Sequence, residues 1–247
     1  MANPRTLTRR VTLVLAASLA AVLLPISPAH ANPAAGPNLW LSADKDVTVS
    51  NSKVNYWADR SGNGLDASMP TVARQPLLVT GAINGLPVIR FSGAQSLYLL
   101  TPTSPNPFTI FIVGKNSKPT ESFSMILGPG GNFPNNQIRW ENSSQALFVG
   151  TGNALPTTVA SIGNTRVFHE LSVRYDGSTM RIFRDGNMVS SRSFRTTGPF
   201  TLASIGSYYS QYFMIGDLAE LIVYSSALSD VDRITTDNYL RTKYALP

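Results

Sequence analysis

The stretch Val167–Phe194, VFHELSVRYDGSTMRIFRDGNMVSSRSF, decides the fold class. Leu171, Val173 and Tyr175 alternate with polar neighbours, the period-two pattern of a half-buried strand. Asp176-Gly177 breaks the pattern, Met180 and Ile182 resume it against an arginine-rich opposite face, and Asp185-Gly186 breaks it again before Met188 and Val189. Asp-Gly pairs readily adopt the positive φ angles of tight hairpins, so two of them between alternating segments predict a β-meander.

The same alternation of apolar runs with Gly, Pro, Asn and Ser punctuation extends outward in both directions. Upstream, Leu86–Phe91 and Ser96–Leu100 read as strands flanking Gly93, and Phe108–Val113 is dense enough in β-branched and aromatic residues to be a central strand buried on both faces. Downstream, Leu218–Tyr224 is a further strand. One helix is expected over Val231–Tyr244: Ser229 is a good N-cap, Asp230 and Asp232 suit the positive end of the dipole, and no Gly or Pro interrupts the run. Its apolar residues Val231, Ile234, Tyr239 and Leu240 form a ragged stripe, so capping supports this helix better than periodicity does. Many short strands at regular turn spacing, closed by one helix, predict an all-β antiparallel sandwich or jelly roll.

The N-terminus reads differently. Arg5, Arg9 and Arg10 precede an apolar run from Val11 to Leu24, then Pro25, Pro28 and the small-residue motif Ala29-His30-Ala31. That order is a secretory signal peptide, residues 1–31, cut after Ala31; the run is too short to span a bilayer, which takes about 20 residues. Thr8-Arg9-Arg10-Val11-Thr12-Leu13 is faintly similar to a twin-arginine export signal, with Thr12 in place of the usual aromatic. Residues 32–37 are expected as a flexible lead, and 38–247 as one domain of an extracellular protein with no later membrane span.

Composition narrows the chemistry. The 247 residues include no Cys and two His, one of them in the leader, which excludes disulfides, thiol nucleophiles and multi-histidine metal centres. The leader also carries half of the net charge of +6, and no basic run remains to indicate nucleic acid.

Several motifs together resemble a family. Leu39-Trp40-Leu41-Ser42-Ala43-Asp44 and Trp57-Ala58-Asp59-Arg60-Ser61-Gly62-Asn63-Gly64-Leu65-Asp66-Ala67 are similar to the opening signature of the laminin-G-like branch of the concanavalin A-like lectin/glucanase superfamily. Arg74-Gln75-Pro76 and Ile83–Phe91 continue it in order. Ile215–Tyr224, Ala227-Leu228-Ser229 and Tyr239-Leu240-Arg241-Thr242-Lys243-Tyr244 resemble its closing signature. The resemblance covers nearly all of residues 38–246 and implies a two-sheet antiparallel jelly-roll sandwich with one C-terminal helix. Because the fold hosts lectins, adhesion domains, glycosidases and lyases, function has to be argued from sites.

Four constellations are candidates. Asp59, Asn63 and Asp66, separated by glycines, offer oxygens to Ca²⁺, a cation relatives in the superfamily often hold; the same residues also suit a tight turn bonded to its own backbone. Tyr208, Tyr209, Gln211 and Tyr212 place aromatic plates in a polar loop, as sugar binding requires. Gln137, Arg139 and Trp140 form a second sugar-binding candidate, and Gln137-Ile138-Arg139 invites comparison with the Q-I-H strand of jelly-roll polysaccharide lyases, with Arg139 standing where the histidine would be. A strand presenting Gln137, Arg139 and Glu141 outward would instead turn Trp140 inward. Arg174, Arg181, Arg184, Arg192 and Arg195 crowd the meander, as a solvated face or a site for acidic polysaccharide.

The E-x-D-x-x-E motif of the glucanase members is missing, and Trp40, Trp57 and Glu220, inside the family signatures, read as structural. The expected function is a secreted, non-catalytic module binding an extracellular glycan. The alternatives are a lyase acting on acidic polysaccharide and an adhesion domain whose partner is a cell-surface protein.

Overall fold

A computed structural model describes residues 32–117, 124–129, 136–141, 146–150, 157–193, 200–208 and 212–247. The expected signal peptide lies outside them. The strands are β1 (Leu39–Ser42), β2 (Val47–Ser50), β3 (Lys53–Trp57), β4 (Ala67–Ser68), β5 (Leu77–Ile83), β6 (Leu86–Ser92), β7 (Leu97–Thr103), β8 (Phe108–Asn116) and β9 (Ser124–Gly128). They continue with β10 (Gln137–Glu141), β11 (Ala146–Gly150), β12 (Thr157–Ser161), β13 (His169–Tyr175), β14 (Thr179–Arg184), β15 (Asn187–Ser193), β16 (Leu202–Ile205) and β17 (Ile215–Tyr224). Helix α1 (Asp230–Tyr244) follows.

All pairings among these strands are antiparallel. The meander forms as the alternation predicts: β13, β14 and β15 pair in sequence, with Val173 opposite Ile182. At the second turn both Asp185 and Gly186 have positive φ, 51° and 78°, the conformation for which an Asp-Gly pair is suited. At the first, Asp176 Oδ1 accepts from the backbone N–H groups of Ser178 and Thr179 and closes the turn through its side chain.

From β15 the ladder runs through β14, β13, β8 and β17. Strands β6 and β1 then share the other edge of β17, and β5, β3, β4, β7, β16, β9, β10, β11 and β12 complete it. The result is one continuous sheet that folds back until β12 approaches β15 and nearly closes, where two separate sheets were expected.

The folded sheet has two walls around one core. Ile110, Ile112, Val173, Leu221 and Val223 project into it from β8, β13 and β17; Ile138, Trp140, Leu147, Val149 and Leu202 project from β10, β11 and β16. The outer face of β8 and β17 is apolar too: Phe111, Val113, Ala219, Ile222 and Tyr224 pack under α1 against Tyr239, Leu240 and Tyr244. Strand β8 is therefore buried on both faces, as its composition predicts.

Helix α1 begins where expected, with the Ser229 side chain accepting from the Asp232 N–H at 3.1 Å. Its apolar stripe does not hold, because Val231 is 74% and Ile234 46% exposed. The buried positions are Arg233, Thr236, Asp237, Tyr239, Leu240, Lys243 and Tyr244, a regular helical face made largely of polar residues. The lead 32–37 also differs from expectation. Pro33 and Ala34 are buried, the Ala34 N–H donates to Thr236 Oγ1 at 3.2 Å, and the Ala34 carbonyl accepts from the Tyr224 hydroxyl at 2.7 Å. The segment is docked between β17 and α1 instead of free.

Candidate functional site

The outer face of the first wall is covered by α1, whereas the outer face of the second carries most of the residues singled out for ligand binding. Strand β10 alternates as a half-buried strand must: Ile138 and Trp140 enter the core, and Gln137, Arg139 and Glu141 turn outward. Trp140 is 1% exposed with its ring packed over Gly114 of β8, so it cannot offer a plate to a ligand, and its candidacy as a contact is corrected.

Across the ladder Arg139 faces Phe148 on β11, which faces Val159 on β12. The Arg139 guanidinium lies 3.7 Å from the Phe148 ring centroid, a stacked cation–π contact. Its Nε and Nη2 donate to Glu141 Oε2 at 3.0 and 2.9 Å, and its Nη1 donates to Gln137 Oε1 at 2.8 Å. Burial lowers the Arg139 pKa below the ordinary value, opposed by the Glu141 carboxylate. The Gln137 amide is oriented by this contact, with its oxygen committed to Arg139. Both residues are largely covered, Gln137 at 8% and Arg139 at 9% exposure, so they form a floor more than a rim.

The rim comes from the segment after β16. Gly128 has no side chain, which lets the Ser207–Tyr208 backbone cross β9 closely: a Cβ there would sit 2.5 Å from the Ser207 carbonyl oxygen and 3.4 Å from the Tyr208 Cα. Tyr208 lies near enough to Arg139 to interact with its charge, and its ring stands 6.2 Å from that of Tyr212. Tyr212 is 53% exposed and holds a left-handed backbone with φ of 47°, a conformation that costs a bulky residue about 1–2 kcal/mol. Tyr212, Tyr208, Arg139 and Phe148 thus lie along one strip, which brings together residues that the sequence places about seventy positions apart. Tyr209 and Gln211 lie outside the described residues.

Asp59, Asn63 and Asp66 build a turn. Asp59 Oδ1 accepts from the N–H groups of Trp40 and Ser61, both at 2.9 Å, and its Oδ2 accepts from the Ser61 hydroxyl at 2.6 Å and the Leu65 N–H at 3.0 Å. Asp66 accepts from the Asp59 N–H and the Tyr56 hydroxyl, and the Asn63 amide donates to the Pro37 and Asn38 carbonyls. Each Asp59 oxygen thus accepts two hydrogen bonds from the turn itself. Among the described residues no three His, Cys, Asp or Glu side chains gather as a metal-holding group. His169, a conceivable base, is held by Asp185 and the Asn164 carbonyl.

A concavity elsewhere was not expected from the sequence. Trp40, expected in the core, is half-buried and forms one wall of a pocket of about 240 Å³ with Asp44, Lys45, Arg60, Leu86, Tyr239 and Lys243. Beneath it Glu220, fully buried, accepts from Trp40 Nε1 (2.6 Å), the hydroxyls of Tyr239 (2.8 Å) and Tyr244 (2.6 Å), Ser42 Oγ (3.2 Å) and Lys243 Nζ (2.8 Å). Burial, then the charge of Glu220, raises the pKa of Tyr239 and Tyr244. Burial alone would raise that of Asp44, but hydrogen bonds from Lys243 and Ser42 hold it below the ordinary carboxylate value. The network ties α1 to β1 and β17.

Among solved structures, domain 4 of the GH43 extracellular arabinanase AbnA from Geobacillus stearothermophilus, in complex with arabinotriose, is similar in fold. It is 18% identical, with a TM-score of 0.58, over 83% of this chain and 99% of that one. Trypanosoma rangeli sialidase in complex with sialic acid is 14% identical at a TM-score of 0.58, over 92% of this chain but only 37% of the enzyme. A GH54 α-L-arabinofuranosidase is 14% identical at 0.57, over 79% of this chain and 52% of its own. No curated protein sequence matches. A laminin-G-type family model, described as the concanavalin A-like lectin/glucanases superfamily, matches residues 94–232, more than half of the chain, and the chain therefore belongs to that superfamily.

Proposed function

We propose that this protein is an exported, non-catalytic module that binds a glycan on the outer face of β9–β12. The observation that carries the reading is the strip Tyr212–Tyr208–Arg139–Phe148. Its two tyrosines offer aromatic faces to the C–H surfaces of a sugar beside a fixed Gln137 amide and a carboxylate for its hydroxyls. On this reading the two walls are the two sheets of a jelly roll joined through β5, β3 and β4, and residues 1–31 direct export. A solved relative of the same fold is a domain of a larger arabinanase holding arabinotriose, which supports a binding role for a domain of this size.

The chemistry of the face supports binding over turnover. Glu141 is the one acid on β9, β10, β11, β12 and β16, and it is paired with Arg139, whereas hydrolysis by the usual route takes two carboxylates. A lyase would need a base and a cation free to neutralise a uronate, and Arg139 is already committed to Glu141 and Gln137.

The test is affinity electrophoresis of the purified protein and of Tyr208→Ala and Tyr212→Ala variants in gels containing polysaccharide, with an assay for new reducing ends. Retardation that falls at least tenfold in the variants, with no new ends, is expected, since loss of a stacked ring costs about 1.5 kcal/mol or more. Retardation unchanged in both variants would refute the site.

A further inference from the structure

We infer that the face of β9–β12 selects uncharged glycans; this rests on the glycan-binding reading above and names its ligand class. The two walls divide the charge of the molecule unevenly. Arg174, Arg181, Arg184 and Arg192 all lie on β13–β15. Strands β7, β9, β10, β11, β12 and β16 together carry one cation, Arg139, and one anion, Glu141, and these two are paired to each other.

Recognition of a uronate or sulfate takes a guanidinium or ammonium with N–H donors directed at the ligand, ideally two in parallel. Arg139 directs Nε and Nη2 at the same Glu141 oxygen and Nη1 at Gln137, with its plane against Phe148. Its parallel donors are spent within the protein, and an incoming anion would meet the field of Glu141 as well as that of Arg139. The Glu141–Arg139 pair therefore acts as a neutral polar unit, which suits hydroxyl groups and repays no anion for the loss of its hydration.

The aromatic strip adds the matching half. Stacking on Tyr208 and Tyr212 needs a sugar face rich in C–H bonds and is indifferent to salt, whereas a polyanion site loses affinity as ions screen it.

Affinity electrophoresis of the purified protein against arabinan, xylan and dextran, and against polygalacturonate and dextran sulfate, at 20 and 500 mM NaCl tests this. At least one neutral polymer is expected to retard the protein with a dissociation constant that changes less than twofold with salt, while both polyanions fail. A Glu141→Gln variant, which removes the carboxylate charge that neutralises Arg139, is expected to gain binding to polygalacturonate of at least fivefold. Retention by a polyanion that drops tenfold at high salt and is lost in Tyr208→Ala would overturn the ligand class while keeping the glycan site. Neutral binding with no gain in Glu141→Gln would show that the pairing does not set the class. Binding to no polymer would remove the glycan reading itself.

Discussion

Replacing Lys243 with Met removes one charge from the network under α1 while nearly preserving volume. The ammonium, 8% exposed, donates to Ser42 Oγ at 2.7 Å and to Asp44 Oδ1 and Glu220 Oε2 at 2.8 Å each, with the Tyr239 hydroxyl 3.3 Å away. Breaking a buried ion pair by deleting one partner costs about 3–5 kcal/mol, because the other charge is left in a medium that solvates it poorly. Glu220 keeps three neutral donors, from Trp40, Tyr239 and Tyr244, so the lower end applies, about 3 kcal/mol. For a domain of this size about 2–4 °C is lost per kcal/mol, which predicts a Tm roughly 6–12 °C lower by calorimetry. The double variant Lys243→Met/Glu220→Gln, which removes the stranded charge, is expected to recover at least half of that loss. A fall of less than about 3 °C in the single variant, or a double variant no more stable than it, would refute the argument that Lys243 compensates a buried Glu220 carboxylate.

Two further outcomes follow from other buried groups. Glu170, fully buried, and Asp237, 2% exposed, share a site between β13 and α1. Burial and then the charge of Asp237 raise the Glu170 pKa, and burial pushes that of Asp237 up to about 6 against the partial compensation of Arg233. A carboxyl raised in the folded state binds protons more readily there than when unfolded, so its contribution is fullest below its unfolded value and is lost as pH rises through the folded one, about 6 for Asp237. The Tm of the Glu170→Gln variant should therefore exceed that of the native chain at pH 8 by more than it does at pH 4.5, and a variant less stable at pH 8 would count against this account. At Gly128, alanine would force the Ser207–Tyr208 backbone away from β9; glycan retention should fall about as far as in Tyr208→Ala while far-UV circular dichroism is unchanged, and intact binding would mean that the loop position is not set by that contact.

The strands were legible because their signals are local. Period-two alternation and the Asp-Gly turns placed β13, β14 and β15 nearly residue for residue, and the density of Phe108–Val113 marked β8 as buried on both faces. Two features escaped because they depend on partners distant in sequence. The buried face of α1 recurs at 233, 236–237, 240 and 243–244, a regular helical period, but a hydrophobicity reading discards Arg233, Asp237 and Lys243 and keeps the exposed Val231 and Ile234. Those charged positions are burial sites only because Glu220 waits on β17 and Phe183 on β14, the latter under the Arg233 guanidinium at 4.0 Å. The proposed binding strip was visible only as two fragments, since neither Gln137-Ile138-Arg139 nor the tyrosine loop contains the reason they meet. That reason is Gly128, whose bare backbone admits the loop over β9. A motif-based reading finds residues that carry chemistry along the chain; what joins them across a sheet is here the absence of a side chain.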